Sequence, residues 1–425
     1  MKKWMGFCCL LVGLVWVIPS FAVLDLELTN GTKRAVPLGI ATVTGTASES
    51  TKQEVMKTIE NDLKNSGWFH LLVSQQNSAS AFREKGANAF LTGEIDEMSN
   101  GQVRLDLQLV GLYSGSVGGE NLMHVEYKTQ IHGLRALAHQ VSDQIFEKLT
   151  GVRGNFSTKL AYITVHYPKG RYVTFNLMVS DADGHNPQLL FKSYDPILSL
   201  AWSPDGKKLA YVSFAHNRAQ IYMQSLVTGE RQLVIAYPGI NGAPTFSPDG
   251  SQMALVLTKT GSPKIYELNL QTKQLRQLTK GLSIDTEPSW SPNGQSLLFT
   301  SNRDGNNPQI YQYFFQSDAV KRLTFSGNYN ARARWLPEGN GFIMMHRDGS
   351  HRGFSVALQR LGSSTITSLT PAGAIESPSV APNGQMVVYA INSGLGQVSI
   401  DSDITLSLPG RDGMIQEPVW SPYLH

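Results

Sequence analysis

A chain of 425 residues is too long for one typical core, and its 41% hydrophobic and 16% charged residues describe a folded protein, not a disordered one. A formal charge of +3 with no long basic run argues against a nucleic-acid-binding face. Both cysteines, Cys8 and Cys9, lie in the first 22 residues, so the rest of the chain has no thiol catalysis, thiolate metal site or disulfide.

In chain order, Lys2 and Lys3 precede an apolar run from Trp4 to Ile18, followed by Pro19 and Ser20-Phe21-Ala22. A positive start, an apolar middle and a small-x-small ending predict a secretory signal cut between Ala22 and Val23. The alternative is a membrane anchor, but the run falls short of the roughly 20 residues a bilayer span needs. A lipidated cysteine would stand at the end of that run, whereas Cys8 and Cys9 stand near its beginning. Losing Lys2 and Lys3 brings the 36 basic side chains to near parity with the 33 acidic ones. The next stretch, Val23-Leu24-Asp25-Leu26-Glu27-Leu28, alternates apolar and acidic residues before Asn30-Gly31. That pattern suits either a first strand of its own domain or a strand added to the sheet edge of a partner.

From 34 to 154 the pattern mixes strands and helices. "RAVPLGIATVT" reads as a buried strand, and residues 51–66 place Val55, Ile59 and Leu63 at helical spacing before Gly67. Three strand-like runs follow, "NAFLTGEI", "QVRLDLQLVGLY" and "LMHVEYKTQIH". In the second, Val103, Leu105, Leu107 and Leu109 alternate with polar neighbours, as in a half-exposed antiparallel strand. A last helix carries Leu134, Leu137, Ala138, Val141, Ile145 and Leu149 on one stripe and stops at Gly151. The expectation is an α/β domain with two helices on one sheet.

Beyond 154, helical spacing gives way to short apolar runs broken by Gly, Pro, Asp and Asn. "WSPDG" at 202–206 recurs as "FSPDG" at 246–250, "WSPNG" at 290–294, "WLPEG" at 335–339 and "VAPNG" at 380–384, with "WSP" again at 420–422. Its prolines stand at 204, 248, 292, 337, 382 and 422, intervals of 44, 44, 45, 45 and 40. Each interval holds four short strand-like runs; in the third they are "EPSWSP", "QSLLFTS", "PQIYQYFF" and "VKRLTF". Four strands per unit at this period predict the blades of a β-propeller, a WD40-like repeat. The aromatic residue is expected to fill the space between blades, the proline to end a strand, and Asp-Gly or Asn-Gly to reverse the chain. The sixth unit stops just after "WSP", while three unmatched strands, "KLAYITVHY", "YVTFNLMVSDADG" and "PQLLF", precede the first motif. The C-terminal strand is therefore predicted to complete the first blade-like unit and close a ring of six over residues 155–425, leaving no free edge.

The signal, the small α/β domain and the six motif copies, with "NGAPTFSPDG", "DTEPSWSPNG", "SPSVAPNG" and the terminal "PVWSPYL", resemble the TolB family of periplasmic Tol-Pal proteins. The resemblance spans essentially the whole chain after the signal. It implies a monomeric, non-enzymatic periplasmic protein without cofactor or metal. The implied partners are the lipoprotein Pal, held at the propeller mouth, and the C-terminal domain of TolA, held by the N-terminus. The implied roles are outer-membrane integrity and outer-membrane constriction during cell division. Residues 23–33 would then be a mobile segment, with Val23, Leu24, Asp25, Leu26, Glu27 and Leu28 contacting TolA.

The implied Pal contacts lie in the loops that enter the first strand of each blade. They are Ile240, Asn241, Gly242, Ala243, Asp285, Thr286, Glu287, Arg332, Arg334, Glu376, Ser377, Gln416 and Glu417, flanked by Asn330, Ala331, Ile375 and Ile415. The bland reading of these side chains is a solvated tunnel rim. The fourth unit departs from the pattern, with "ARARW" for "xEPxW" and "LPEG" for "SPDG".

The rival reading is a hydrolase with an accessory propeller. Gly-x-Ser-x-Gly, His-Glu-x-x-His and the phosphate-binding Gly-rich motif are all absent, and no segment remains for a hydrolase domain. His132, His139, His166, His216 and His346 lack ligand spacing, so they read as packing or surface residues. "SDADGHN" at 180–186 and "NRDGNN" at 302–307 look like acidic calcium loops but lack the later acidic ligand, so both read as hairpin turns. A propeller that binds a small ligand or a saccharide in its tunnel stays open.

Overall fold

The computed structural model describes residues 35–424 except 75–76, 114–118, 168, 171, 306, 402–403 and 410–412. The predicted signal, its cleavage point at Ala22 and Val23, and the segment 23–33 lie outside the described residues.

The first domain is a sheet of β1 (Val36–Ala41), β2 (Phe69–Ser74), β3 (Ala89–Glu97), β4 (Gln102–Gly111) and β5 (Glu120–Gln130) in the order β2-β1-β3-β4-β5. β1 runs parallel to β2 and β3, and the remaining pairs are antiparallel. Helix α1 (Glu49–Asn65) begins at Ser48, whose hydroxyl accepts the Thr51 N–H, and α3 (Leu134–Thr150) ends at Gly151 in the left-handed conformation. The stripes Val55, Ile59, Leu63 and Val141, Ile145, Leu149 meet Leu38, Ile40, Leu105 and Leu107 in one core. The sequence reading missed β2 and a short α2 (Ala79–Glu84), whose six residues are too few to show a helical period. α2 covers the opposite face: Phe82 stacks on Phe90 at 4.9 Å, and a Cβ on Gly39 would meet the Phe82 ring at 2.4 Å. The sheet is therefore covered on both faces, not on one.

The second domain is six four-stranded antiparallel sheets. Their innermost strands are Ile197–Trp202, Asn241–Phe246, Asp285–Trp290, Tyr329–Trp335, Ile375–Val380 and Met414–Trp420, here blades 1 to 6. Each innermost strand packs on the next, and the sixth returns to the first. Blade 6 is closed as predicted: Met414–Trp420 pairs with Lys159–His166, which is followed by Thr174–Asp181 and Gln188–Ser193. The seam continues past the strand, with Ser421 N–H donating to Lys159 O at 2.9 Å and Lys159 N–H donating to Ser421 Oγ at 3.0 Å.

The repeated motif is a self-contained turn. In the first copy Ser203 Oγ donates to Asp205 Oδ1 at 2.6 Å and accepts the Lys208 N–H at 2.9 Å, while Asp205 accepts the Lys207 N–H. Ser247 with Asp249, and Ser291 with Asn293, repeat this bonding. Ser and Asp hold a reversal in which the glycine has φ near +70°. Successive copies also touch: a Cβ on Gly206 would lie 3.7 Å from Pro422, and one on Gly250 3.6 Å from Pro204. The aromatic residue can reach across blades, as Trp202 Nε1–H donates to Val419 O of blade 6, or tie its own blade, as Trp420 Nε1–H donates to Thr158 Oγ1.

The first domain sits against the end of the ring that carries these turns. Asn383, in the fifth motif, donates to Arg153 O and Asn155 Oδ1 in the linker. Asp143 on α3 accepts the Phe156 and Ser157 N–H groups, and Arg153 lies 3.7 Å over the Tyr423 ring. At the opposite end, where every innermost strand begins, no other element lies over the tunnel among the described residues.

Candidate functional site

Six strands enter the tunnel at that open end with one shared grammar. The residue before each deep anchor is Pro196, Ile240, Ile284, Tyr329, Ala374 or Met414, and the anchor itself is Ile197, Asn241, Asp285, Asn330, Ile375 or Ile415. All six anchors are buried. Two residues later stand Ser199, Ala243, Glu287, Arg332, Ser377 and Glu417, every one with φ between 45° and 56°. Each innermost strand slips register at this point. A left-handed non-glycine residue costs about 1–2 kcal/mol, and here the bulge turns one side chain per blade into the tunnel.

The sequence reading selected five of these six and missed Ser199, because blade 1 has Leu200 where most copies have proline. It also placed Asn241 and Asp285 at the mouth, and the structure corrects this. Asn241 is buried and donates through Nδ2 to Ala219 O and Tyr237 O. Asp285 is buried between Lys264 Nζ at 3.3 Å and Arg303 Nη2 at 3.1 Å, and accepts from Ser301 at 2.6 Å. Burial alone would raise the Asp285 carboxyl; Ser301, Arg303 and Lys264 outweigh it and hold it below the usual carboxylate range. Both residues support the rim from beneath. Gly242, Thr286, Glu376 and Gln416 are half-buried between anchor and tunnel.

The departure of the fourth unit becomes the centre of the tunnel. Arg332 Nε lies 3.0 Å from Glu287 Oε1 on blade 3, and Nη1 lies 3.0 Å from Glu417 Oε1 on blade 6 and also meets Ser377 Oγ on blade 5. Its own N–H donates to Glu287 Oε2 at 2.9 Å. One guanidinium thus ties four blades across a cavity of about 270 Å³. Burial works against its charge, yet the carboxylates of Glu417 and Glu287 hold it protonated above the ordinary arginine value. Arg334 donates to Ala333 O at 3.0 Å, and burial lowers its pKa. Burial and the neighbouring Glu417 raise the Glu376 carboxyl.

Around this polar centre the open end is apolar. Ile240 is 52% exposed, Ile284 50%, Phe325 67% and Leu282 98%. Tyr172 and Tyr194 are also exposed and meet edge to face at 6.3 Å. Only Ile240 was selected from the sequence. The signal for the others is bulky residues set inside a polar turn, as in "KGLSID" and "TFSGNY".

Among the described residues no helix is long and apolar enough to cross a membrane. Family models match twice, the TolB amino-terminal domain over residues 24–117 and the TolB beta propeller domain over 146–424. A Tol-Pal system protein TolB of Legionella pneumophila (strain Corby) is 51% identical over 410 residues, which cover 94% of this chain and 95% of that one. The Coxiella burnetii protein of that name is 48% identical over 441 residues, covering all of both chains. The crystal structure of TolB from Acinetobacter baumannii superposes with a TM-score of 0.83 at 35% identity, covering 92% of this chain and 98% of that one. The family models match both domains in the order found here, and the chain belongs to the TolB family of Tol-Pal system proteins.

Proposed function

We propose that this protein is a non-enzymatic periplasmic docking module that binds Pal at the open mouth of the propeller and TolA through residues 23–28. In that role it supports outer-membrane integrity and constriction during division. The observation that carries the reading is the exposed apolar rim of Ile240, Leu282, Ile284, Phe325 and Tyr194 around a polar tunnel entrance. Isolated exposed apolar residues are ordinary, but several gathered round one opening mark a contact surface with a central apolar patch and polar groups beside it. Electrostatics would supply register, since Glu376 and Gln416 stand between the rim and the tunnel. Family membership supports the choice of partners.

A saccharide in the tunnel has less support, because Arg332 and its partners already span the cavity. The test is titration calorimetry of the full chain against the soluble domain of Pal. Ile284→Asp combined with Phe325→Asp is expected to weaken binding at least tenfold with unchanged circular dichroism. Unchanged affinity in that double variant would overturn the assignment of the mouth. For TolA, a chain lacking residues 23–29 should lose binding, and retention would remove the N-terminus from the proposal.

A further inference from the structure

The turn "SDADGHN" is a hairpin, as expected, but its acidic side chains face the other domain. Asp181 ends the strand Thr174–Asp181 of blade 6, Asp183 lies in the turn to Gln188–Ser193, and both approach His139 and Arg135 on α3. His139 is only 2% exposed. Its Nδ1 is bonded to Asp62 Oδ2 on α1 at 2.7 Å. Its Nε2 has no hydrogen-bond partner and points at two carboxylates of the propeller, 3.9 Å from Asp183 Oδ2 and 4.0 Å from Asp181 Oδ2.

Every other charge facing this imidazole is accounted for. Arg135 pairs with Asp183 and lies 3.5 Å from Asp181 Oδ2, and Lys159 on the first strand of the propeller pairs with Asp181. His185, in the same turn, lies 3.1 Å from Asp183 Oδ2. Asp143, further along α3, is committed to the linker N–H groups. Burial raises the Asp62 carboxyl and His139 opposes that rise; with Asp62, Asp181 and Asp183 ionised, three carboxylates face two permanent cations and the cluster is one positive charge short. With Nδ1–H donating to an ionised Asp62, a neutral imidazole would aim its Nε2 lone pair at two anions, whereas a second proton on Nε2 neutralises the cluster.

A divalent cation is the weaker choice for that charge. Tetrahedral donors stand roughly 3.4 Å apart, shorter than both separations here, and the guanidinium of Arg135 already occupies the approach to both carboxylates.

We propose that His139 is a proton-operated latch between the amino-terminal domain and blade 6: charged, it bridges Asp62 to Asp181 and Asp183, and on losing its proton it lets the two domains part. The bridge flanks an interdomain cleft of about 340 Å³ lined by Trp68, Phe146, Asp183, His185, Leu406 and Trp420. Opening the latch widens this cleft. Trp420 ends the same strand that carries Glu417 into the tunnel, so the two ends of blade 6 are joined by one strand.

The direction with pH follows from the geometry. Burial alone would lower the imidazole, but Asp62, Asp183 and Asp181 outweigh it and raise its pKa above the ordinary value. A group raised on folding contributes fully below its unfolded value of about 6.5. The contribution disappears as pH climbs through the raised value, so the latch is closed below about 6.5 and opens as the imidazole loses its proton above it.

The test uses spin labels at Lys57→Cys on α1 and Lys192→Cys on blade 6, in a chain from Val23 onward that has no other cysteine. Expected is one narrow interdomain distance at pH 6 that lengthens or broadens by pH 9, and a His139→Gln variant with the same distribution at both. Imidazole NMR of the wild-type chain should place the His139 midpoint above 6.5 and in step with the distance change, a readout that does not depend on any variant folding. A neutral His139 at pH 6, a wild-type distance indifferent to pH, or a His139→Gln variant that still responds would each overturn the latch. If a chelator at pH 6 reproduces the alkaline distribution, the missing charge is a metal and the proton latch is wrong.

Discussion

Removal of the Trp420 side chain probes how the ring is closed. The indole is 7% exposed, its N–H donates to Thr158 Oγ1 at 2.8 Å, and its backbone N–H donates to Ser379 Oγ on blade 5 at 3.0 Å. It therefore ties together the end of the chain, the start of the propeller and the neighbouring blade. Truncating a buried tryptophan to alanine costs about 3–5 kcal/mol, and losing the hydrogen bond to Thr158 adds about 1 kcal/mol. The expected loss for Trp420→Ala is then about 4–6 kcal/mol, a large share of the roughly 5–15 kcal/mol that holds a typical domain. Trp335 is the internal control, being 8% exposed with an indole N–H that makes no hydrogen bond. Trp335→Ala should lose the cavity contribution alone. Guanidinium denaturation followed by far-UV circular dichroism measures both, and truncation after Gly413 should abolish the cooperative transition of the propeller. A loss under about 2 kcal/mol for Trp420→Ala, well below the cost of emptying a core site, would show that the seam does not hold the ring.

Other substitutions address the rim and tunnel. Asp285→Asn leaves the buried Lys264 without its carboxylate and should cost about 3–5 kcal/mol by urea denaturation; adding Lys264→Met should restore part of that, and no recovery would contradict the pairing. Because the Asp285 pKa is depressed on folding, its contribution is present above the ordinary value near 4 and fades as pH falls through the depressed value. The wild-type advantage over Asp285→Asn should accordingly shrink between pH 5 and pH 2, and a constant difference would refute the linkage. Glu376 is raised by burial and by Glu417, so Glu376→Gln should raise the melting temperature at pH 7 and lose that gain at pH 4. A lower melting temperature at pH 7 would oppose this. Arg332→Ala strands Glu287 and Glu417 across the tunnel and should cost on the order of 1–3 kcal/mol, the partial exposure of all three groups tempering the loss; an unchanged unfolding midpoint would show that the bridge is ornamental.

Periodicity alone determined much of this protein. Motif prolines at 204, 248, 292, 337, 382 and 422 set the blade count, and the unfinished sixth copy set the closure, because a repeat records its own geometry in its spacing. The same counting showed that Ser203 and Asp205 are turn residues, since Leu336 and Glu338 replace them in a sister blade. Short elements escaped: six residues of α2 carry too little pattern, and the two-sided cover of the first sheet depends on Phe82 meeting Gly39.

Only the tertiary structure separated the rim into layers. Asn241 and Asp285 read like surface residues because they are polar and precede a turn, but their burial depends on partners 18 to 22 residues away, Ala219, Lys264 and Arg303. Arg332 read as a lapse in the pattern until Glu287 and Glu417 were found on either side of the tunnel, 45 and 85 residues away. His139 had no ligand spacing in sequence, and its environment exists only because α1, α3 and blade 6 converge on it. Local pattern is legible from the chain because backbone sterics and burial act between near neighbours. Charge pairing across a ring or between domains is decided by distance in space, which the chain acquires only on folding.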